Sequence, residues 1–217
     1  MRVFVFVALV FVALTSLGKT ASLSEADLKN LLAGIRQNRS TQADFREERA
    51  IRLMKKPILS SGTIWFQPPN KFRREVKGNS PSVTVSDGRQ LWIYYPNFKS
   101  AERYPLGKGS PLDSTVAAIN SALNLENIEN TFQIDATKTD KGYELALIPR
   151  APSMKRAFQK LDLSINDNLR VERTNMLLPN GDRILTTYSN QTRAPVPAST
   201  FDFKPPPGTE VTTPLGQ

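Results

Sequence analysis

A few groups of side chains in this sequence are candidates for chemistry. Ser60-Ser61 lies close to Lys55-Lys56, a pairing of hydroxyl and amine that could form a nucleophile and its base. Glu47-Glu48 and the pair Glu126 and Glu129 could serve as paired carboxylates for acid/base work. Neither idea gains support from spacing. Lysine-rich hairpin tips are common, and neighbouring acids on strands and helices are usually solvated. The 217 residues contain no histidine and no cysteine. That removes the Ser-His-Asp hydrolase, the thiol nucleophile, the zinc site built on imidazole or thiolate, and any disulfide framework. No glycine-rich phosphate loop is present. The expectation is a protein without a catalytic residue, metal or cofactor, which works by binding.

The charge is uneven. Twenty-nine basic residues oppose 20 acidic ones, for a net +9. Between residues 36 and 77 there are eleven basic side chains and four acidic ones. Basic strand edges and hairpin tips can be no more than solvated protection against aggregation. They can equally attract an acidic partner or an anionic membrane surface. Nucleic acid is not expected, because no helix gathers the charge on one face.

The elements that must position such residues follow from periodicity. Ser24 with Asp27 three residues on is a capping-box pattern, and Leu28, Leu31, Leu32 and Ile35 fall on one helical face. From Gln42 onward the period becomes two. Apolar residues alternate around Ile64 and Phe66, Val83 and Val85, Leu91 and Ile93, Leu145 and Leu147, Leu161 and Leu163, and Ile184 and Tyr188. Turn signals separate the runs, among them Asp87-Gly88, Lys141-Gly142 and Asn180-Gly181, the dipeptides of two-residue hairpins. Hairpins make an antiparallel sheet. One further helix is expected over 113–124, with Val116, Ile119 and Leu123 on its apolar side. Phe201-Asp202-Phe203 followed by Pro205-Pro206-Pro207-Gly208 closes the pattern. In several strands both faces are apolar: Trp92 and Tyr94 on one side, Leu91 and Ile93 on the other. Either helices cover one face, or that face lines an apolar cavity with a lipid-sized guest.

Residues 1–18 read as a signal peptide. Met1-Arg2 is a basic start, Val3 to Leu14 is unbroken apolar, and Ser16 and Gly18 are the small residues of a cleavage site. The apolar run extends only about 18 Å as a helix, too short for a hydrocarbon core of about 30 Å. An uncleaved anchor is the alternative. The remainder, 22–213, is expected to be one exported domain.

Two stretches carry a family resemblance. Gly62-Thr-Ile-Trp-Phe-Gln-Pro-Pro-Asn-Lys-Phe72 is followed by Val85-Ser-Asp-Gly-Arg-Gln-Leu-Trp-Ile-Tyr-Tyr-Pro96. A Gly-x-[Leu/Ile]-Trp strand runs into a Pro-Asn turn and a Phe, then a Ser-Asp-Gly hairpin enters a Leu-Trp-x-Tyr-x-Pro strand. This resembles the periplasmic outer-membrane lipoprotein carrier (LolA) family, over roughly residues 27–211. The resemblance implies a mostly β fold with some α: an unclosed antiparallel β-barrel, or half-barrel, covered by a helical lid. It implies an apolar cavity for the acyl chains of lipoproteins, an inner-membrane ABC transporter as donor, an outer-membrane receptor as acceptor, a periplasmic monomer, and no catalysis.

On that reading the cavity wall is Phe45, Ile64, Phe66, Val83, Val85, Leu91 and Ile93, with Trp92 and Tyr94 as the alternative inward pair. Ordinary packing beneath helices is the competing role. Val116, Ile119 and Leu123 become the inner face of the lid. Phe72, beside Arg73 and Arg74, matches a family Phe at the cavity mouth that contacts the donor transporter. One departure stands out. The family's lid-latching Arg before Pro-Asn is Pro68 here, with Arg73 or Arg74 as substitutes. That loss leaves room for another amphiphile, a glycolipid or pigment-like lipid, as cargo. It also leaves room for a lipoprotein-binding sensor, which would need a signalling domain.

Overall fold

The computed structural model describes residues 21–106 and 128–214. Its strands are β1 (Ala21–Ser22), β2 (Gln42–Ala50), β3 (Ile58–Gln67), β4 (Lys71–Lys77), β5 (Ser82–Ser86), β6 (Gln90–Tyr95) and β7 (Ser100–Pro105). They continue as β8 (Phe132–Thr139), β9 (Gly142–Pro149), β10 (Lys160–Ile165), β11 (Val171–Leu177), β12 (Arg183–Thr192) and β13 (Glu210–Thr212). Three α-helices are described: α1 (Glu25–Gln37), α2 (Ile128–Thr131) and α3 (Pro152–Lys155). All thirteen strands join one sheet in the order β1-β8-β9-β10-β11-β12-β2-β3-β4-β5-β6-β7-β13. Neighbours are antiparallel, except that β13 runs parallel to β7. β1 and β13 lie at opposite edges of that order, so the sheet is not closed. This is the unclosed antiparallel architecture that the hairpin signals predict.

The strand order forces two crossings. The chain leaves β1 at one edge and must reach β2 in the middle, six strand spacings away, about 29 Å along the sheet. α1 makes that crossing and is only about 20 Å long, so the sheet curls and the helix follows the chord. Its N-terminus is capped as expected: the Ser24 hydroxyl accepts from the Asp27 N–H at 3.2 Å and donates to the Asp27 carboxylate at 2.6 Å. Leu31, Leu32 and Ile35 are buried against Phe132, Ala136, Leu145, Leu147, Leu161, Leu163 and Ile165 of β8–β10, with Ile128, Met154 and Phe158 completing the core. The helix therefore seals the inner face of one half of the sheet only.

The second crossing lies on the other face. From β12 the chain must reach β13 at the far edge. It does so as a strap, residues 193–209, with a 3-10 turn at Ala198–Phe201. Phe203 stacks against Trp92 and Tyr94, with ring centroids 5.7 and 5.8 Å apart, and Arg73 donates to the Thr200 carbonyl at 3.2 Å. The strap covers the outer face of β4–β6, which explains why those strands are apolar on both sides.

Gly62 is needed where β2, β3 and β4 meet. Phe45 sits opposite it in β2, and Val76 opposite it in β4. A Cβ there would strike the Glu75 carbonyl and the Phe45 ring. Gly62→Ala is expected to lower stability by about 1–3 kcal/mol through overpacking, read as a lower urea midpoint, whereas Ser61→Ala on the exposed neighbour should shift it little.

Candidate functional site

Backbone pairing aligns inner-face residues into rows across the sheet. One row runs Ala43–Ile64–Arg74–Thr84–Ile93, and the next runs Phe66–Phe72–Ser86–Leu91. Another joins Leu161, Met176 and Ile184. These rows enclose a cavity of about 520 Å³, the size of a ligand site. β6 and β10 both line it although seven strand spacings separate them in the sheet, a direct consequence of the curl. The end of α1, through Ile35 and Asn38, forms its roof on one side. Ile64, Ile93, Val171, Met176 and Ile184 are only half-buried, because their free sides face this space.

Of the residues expected to form the wall, Phe45, Ile64, Phe66, Leu91 and Ile93 line the cavity. Val83, Val85, Trp92 and Tyr94 do not. Thr84 points inward, so its neighbours Val83 and Val85 point outward, in register with Tyr94 and Trp92. The correction follows from the strap: apolar residues on the outer face of β5 and β6 serve Phe203 rather than the cavity. Val116, Ile119 and Leu123, expected on a lid, lie outside the described residues.

The expected docking trio does not form one surface. Phe72 is buried at 7% exposure, packed with Phe66 and Leu91 at the cavity's end. Arg73 faces the other way and is held by the Glu75 carboxylate at 2.6 Å and by the strap. Arg74 points into the cavity, where it meets Glu47 at 2.8 Å and lies 4.3 Å from the centre of the Phe45 ring. Alternation along β4 separates Arg73 from its neighbours.

Several lining residues escape sequence reasoning. Glu47 and Arg74 form an ion pair on the wall of the hollow, yet they are 27 positions apart. Tyr188, opposite Phe45, faces the same space, and burial pushes its phenol above the usual value. Arg39 stands 5.4 Å from the Phe66 ring centre. The alternation of Ile184, Thr186 and Tyr188 is the one signal in the sequence that could have placed β12 in the wall.

The two motif stretches are one physical unit at the Phe66–Phe72 end. Ser86 is fully buried; its hydroxyl donates to the Asn70 carbonyl and accepts from the Gly88 N–H, both at 3.2 Å. The Asn70 amide donates to the Gly88 carbonyl at 3.4 Å. Gly88 has φ +88, and a Cβ there would meet the Asn70 side chain. So the Pro-Asn turn and the Ser-Asp-Gly hairpin lock each other. The start of β2, at the same end, is tied by the Thr41 carbonyl to the Phe66 N–H at 2.8 Å, by the Thr41 hydroxyl to the Ala194 carbonyl at 2.6 Å and by Ser40 to Gln191 at 2.7 Å. Asp44 holds the bulge of β12 by accepting from Asn190 at 2.8 Å and from Thr63 at 3.0 Å.

The model of the family described as "Outer membrane lipoprotein carrier protein LolA" matches residues 36–204. The chain belongs to that family. Relatives described as outer-membrane lipoprotein carrier protein include one from Dechloromonas aromatica, 28% identical over 179 residues, covering 82% of this chain and 83% of the relative. Another, from Methylibium petroleiphilum, is 27% identical over 201 residues, covering 91% and 95%. An uncharacterized conserved protein from Thermus thermophilus shares the fold, with a TM-score of 0.52 at 16% identity over 86% of this chain and 99% of that one. Among the described residues there is no group of side chains suited to a metal ion, and no helix long and apolar enough to cross a membrane.

Two outcomes test the geometry of the site. Arg74→Ala leaves Glu47 with only the Ser60 hydroxyl at 3.5 Å, so stability should fall by about 1 kcal/mol in urea unfolding; removing both charges together, as Glu47→Leu with Arg74→Leu, should restore most of it. The Asn190 and Thr63 hydrogen bonds hold the Asp44 carboxyl below its ordinary value. Its contribution is present above that ordinary value and is lost as pH falls through the lower folded value. The stability gap between the parent and Asp44→Ala, measured by urea unfolding, should therefore be full above the ordinary carboxylate range and shrink as pH falls below it.

Proposed function

We propose that the protein is a periplasmic carrier that shelters the acyl chains of lipoproteins in the half-barrel cavity and moves them from the inner to the outer membrane. The observation that carries this reading is an apolar hollow of about 520 Å³ in a chain of the carrier family. Each methylene exposed to water costs about 0.8 kcal/mol, so acyl chains need a shelter to cross an aqueous gap. A wall of isoleucine, phenylalanine and methionine binds by area, without bonds that would have to be broken on release. Nothing in such a task requires a reaction. Phe45, Ile64, Phe66, Leu91 and Ile93, with Met176 and Ile184, form the wall, and Val116, Ile119 and Leu123 are assigned to its cover. An inner-membrane ABC transporter as donor, an outer-membrane receptor as acceptor, export by residues 1–18, and a monomeric state complete the proposal.

A second cargo class is favoured by one observation. Pro68 replaces the family's latching Arg, and neither Arg73 nor Arg74 takes over its place, since one faces the strap and the other pairs with Glu47. A differently held lid suits a differently shaped amphiphile, such as a glycolipid.

Native mass spectrometry of the protein recovered from periplasm tests both. A bound diacylglyceryl peptide supports the first cargo, a glycolipid supports the second, and a ligand-free protein that withdraws nothing from inner-membrane vesicles contradicts the carrier reading. Ile64→Trp with Ile93→Trp fills the hollow. Losing contact with two methylenes already predicts about tenfold weaker acyl binding, measured with a fluorescent fatty acid, while the protein stays folded.

A further inference from the structure

The β2–β3 hairpin carries a surface that the cavity does not account for. Residues 49–59 read Arg-Ala-Ile-Arg-Leu-Met-Lys-Lys-Pro-Ile-Leu, with four cations and no acid. Leu53 is 95% exposed, Leu59 66%, Met54 52% and Ile58 48%. With Phe98 and Val211, these are the exposed large apolar side chains among the described residues, and four of the six sit on this one hairpin. A tip that is merely solvated has no use for a leucine almost wholly in water. Apolar side chains interleaved with lysine and arginine are the composition of a surface that enters the headgroup layer of an anionic bilayer.

The surroundings agree. The neighbouring β11–β12 hairpin ends beside it: the Asp182 carboxylate accepts from the Arg52 N–H at 3.0 Å and lies 4.0 Å from Arg49. Asp182 is itself buried at 4% exposure and its charge is taken up by Arg49, which leaves Arg52, Lys55 and Lys56 as the cations of the tip. Arg183, paired with Ala50, adds an exposed cation. Glu48 is the acid closest along β2, and alternation sends it to the outer face.

Position matters as much as composition. Along the inner face, Ile58 pairs with Arg49, and Arg49 with Ile184, which lines the cavity. The exposed Ile58 thus continues the cavity wall towards the tip. We propose that the β2–β3 hairpin tip docks on an anionic phospholipid surface, inserting Leu53 and Met54 while Arg52, Lys55 and Lys56 meet the headgroups, and so sets that end of the curled sheet against the membrane. This rests on the hairpin alone, whatever the cavity carries.

The chain is expressed in full and tested as recovered from the periplasmic fraction, and every variant shares the same N-terminus, so differences among variants belong to the hairpin. Sedimentation with vesicles of phosphatidylglycerol and phosphatidylcholine should show binding that weakens with salt and is absent from pure phosphatidylcholine. Lys55→Glu with Lys56→Glu should weaken it at least about tenfold, and Leu53→Ser with Met54→Ser should also weaken it several-fold, with unfolding midpoints unchanged because the tip is exposed. The chain lacks cysteine, so Leu53→Cys carrying an environment-sensitive dye reports the tip alone. Its emission should shift blue on anionic vesicles, and that of Lys141→Cys, on the β8–β9 hairpin, should not. No binding to anionic vesicles, binding indifferent to both double variants, or a shift at position 141 and not 53 would overturn the proposal; the first result would leave the patch to a protein partner.

Discussion

The structure depends on one mismatch: a sheet with more apolar inner face than the described residues outside it cover. Thirteen strands curl, and among the described residues one helix of 13 residues crosses the inner side. It closes the β8–β10 half into a packed core and reaches no further than the edge of the hollow. A flatter sheet would open the space to solvent, and a longer helix would fill it. The C-terminal strap sharpens the contrast, because it places its aromatic residue on the outer face, against Trp92 and Tyr94, and not in the hollow.

Within that hollow the polar groups are placed at the margins or paired with each other. Glu47 and Arg74 neutralise one another, and the arginine lies against the Phe45 ring. The Phe66–Phe72 end is fixed by hydrogen bonds on and between turns, Asn70–Ser86–Gly88 on one side and Ser40, Thr41 and Gln191 on the other. A rigid frame around a weakly specific wall is what allows binding by area together with release. The basic, apolar hairpin adds direction to that frame, since it lies at one end of the same inner face.

The strands and their turns were legible because one-sided burial imposes a period of two. The residue-level phase was legible only where one face meets water or polar partners. Phe45, Ile64 and Phe66 fell on the expected side. At β5 and β6 the strap makes both faces apolar, so Val83 and Val85 look identical in sequence to wall residues, and only pairing with Trp92 and Tyr94 reveals their side. Glu47 with Arg74 and the clustering of Phe72 with Leu91 depend on long-range register, which no local pattern encodes. The family motif, by contrast, was visible because Asn70, Ser86 and Gly88 each need a particular side chain, or none, to interlock.

The most direct measurement is methyl NMR of the protein, labelled at isoleucine, titrated with a diacylated lipopeptide. Ile64, Ile93 and Ile184 face the free space, whereas Ile165 is sealed in the packed half. The account predicts shifts and contacts with acyl protons at the first three and little change at the last. Binding that leaves those three methyls unmoved, or no binding at all, would contradict it.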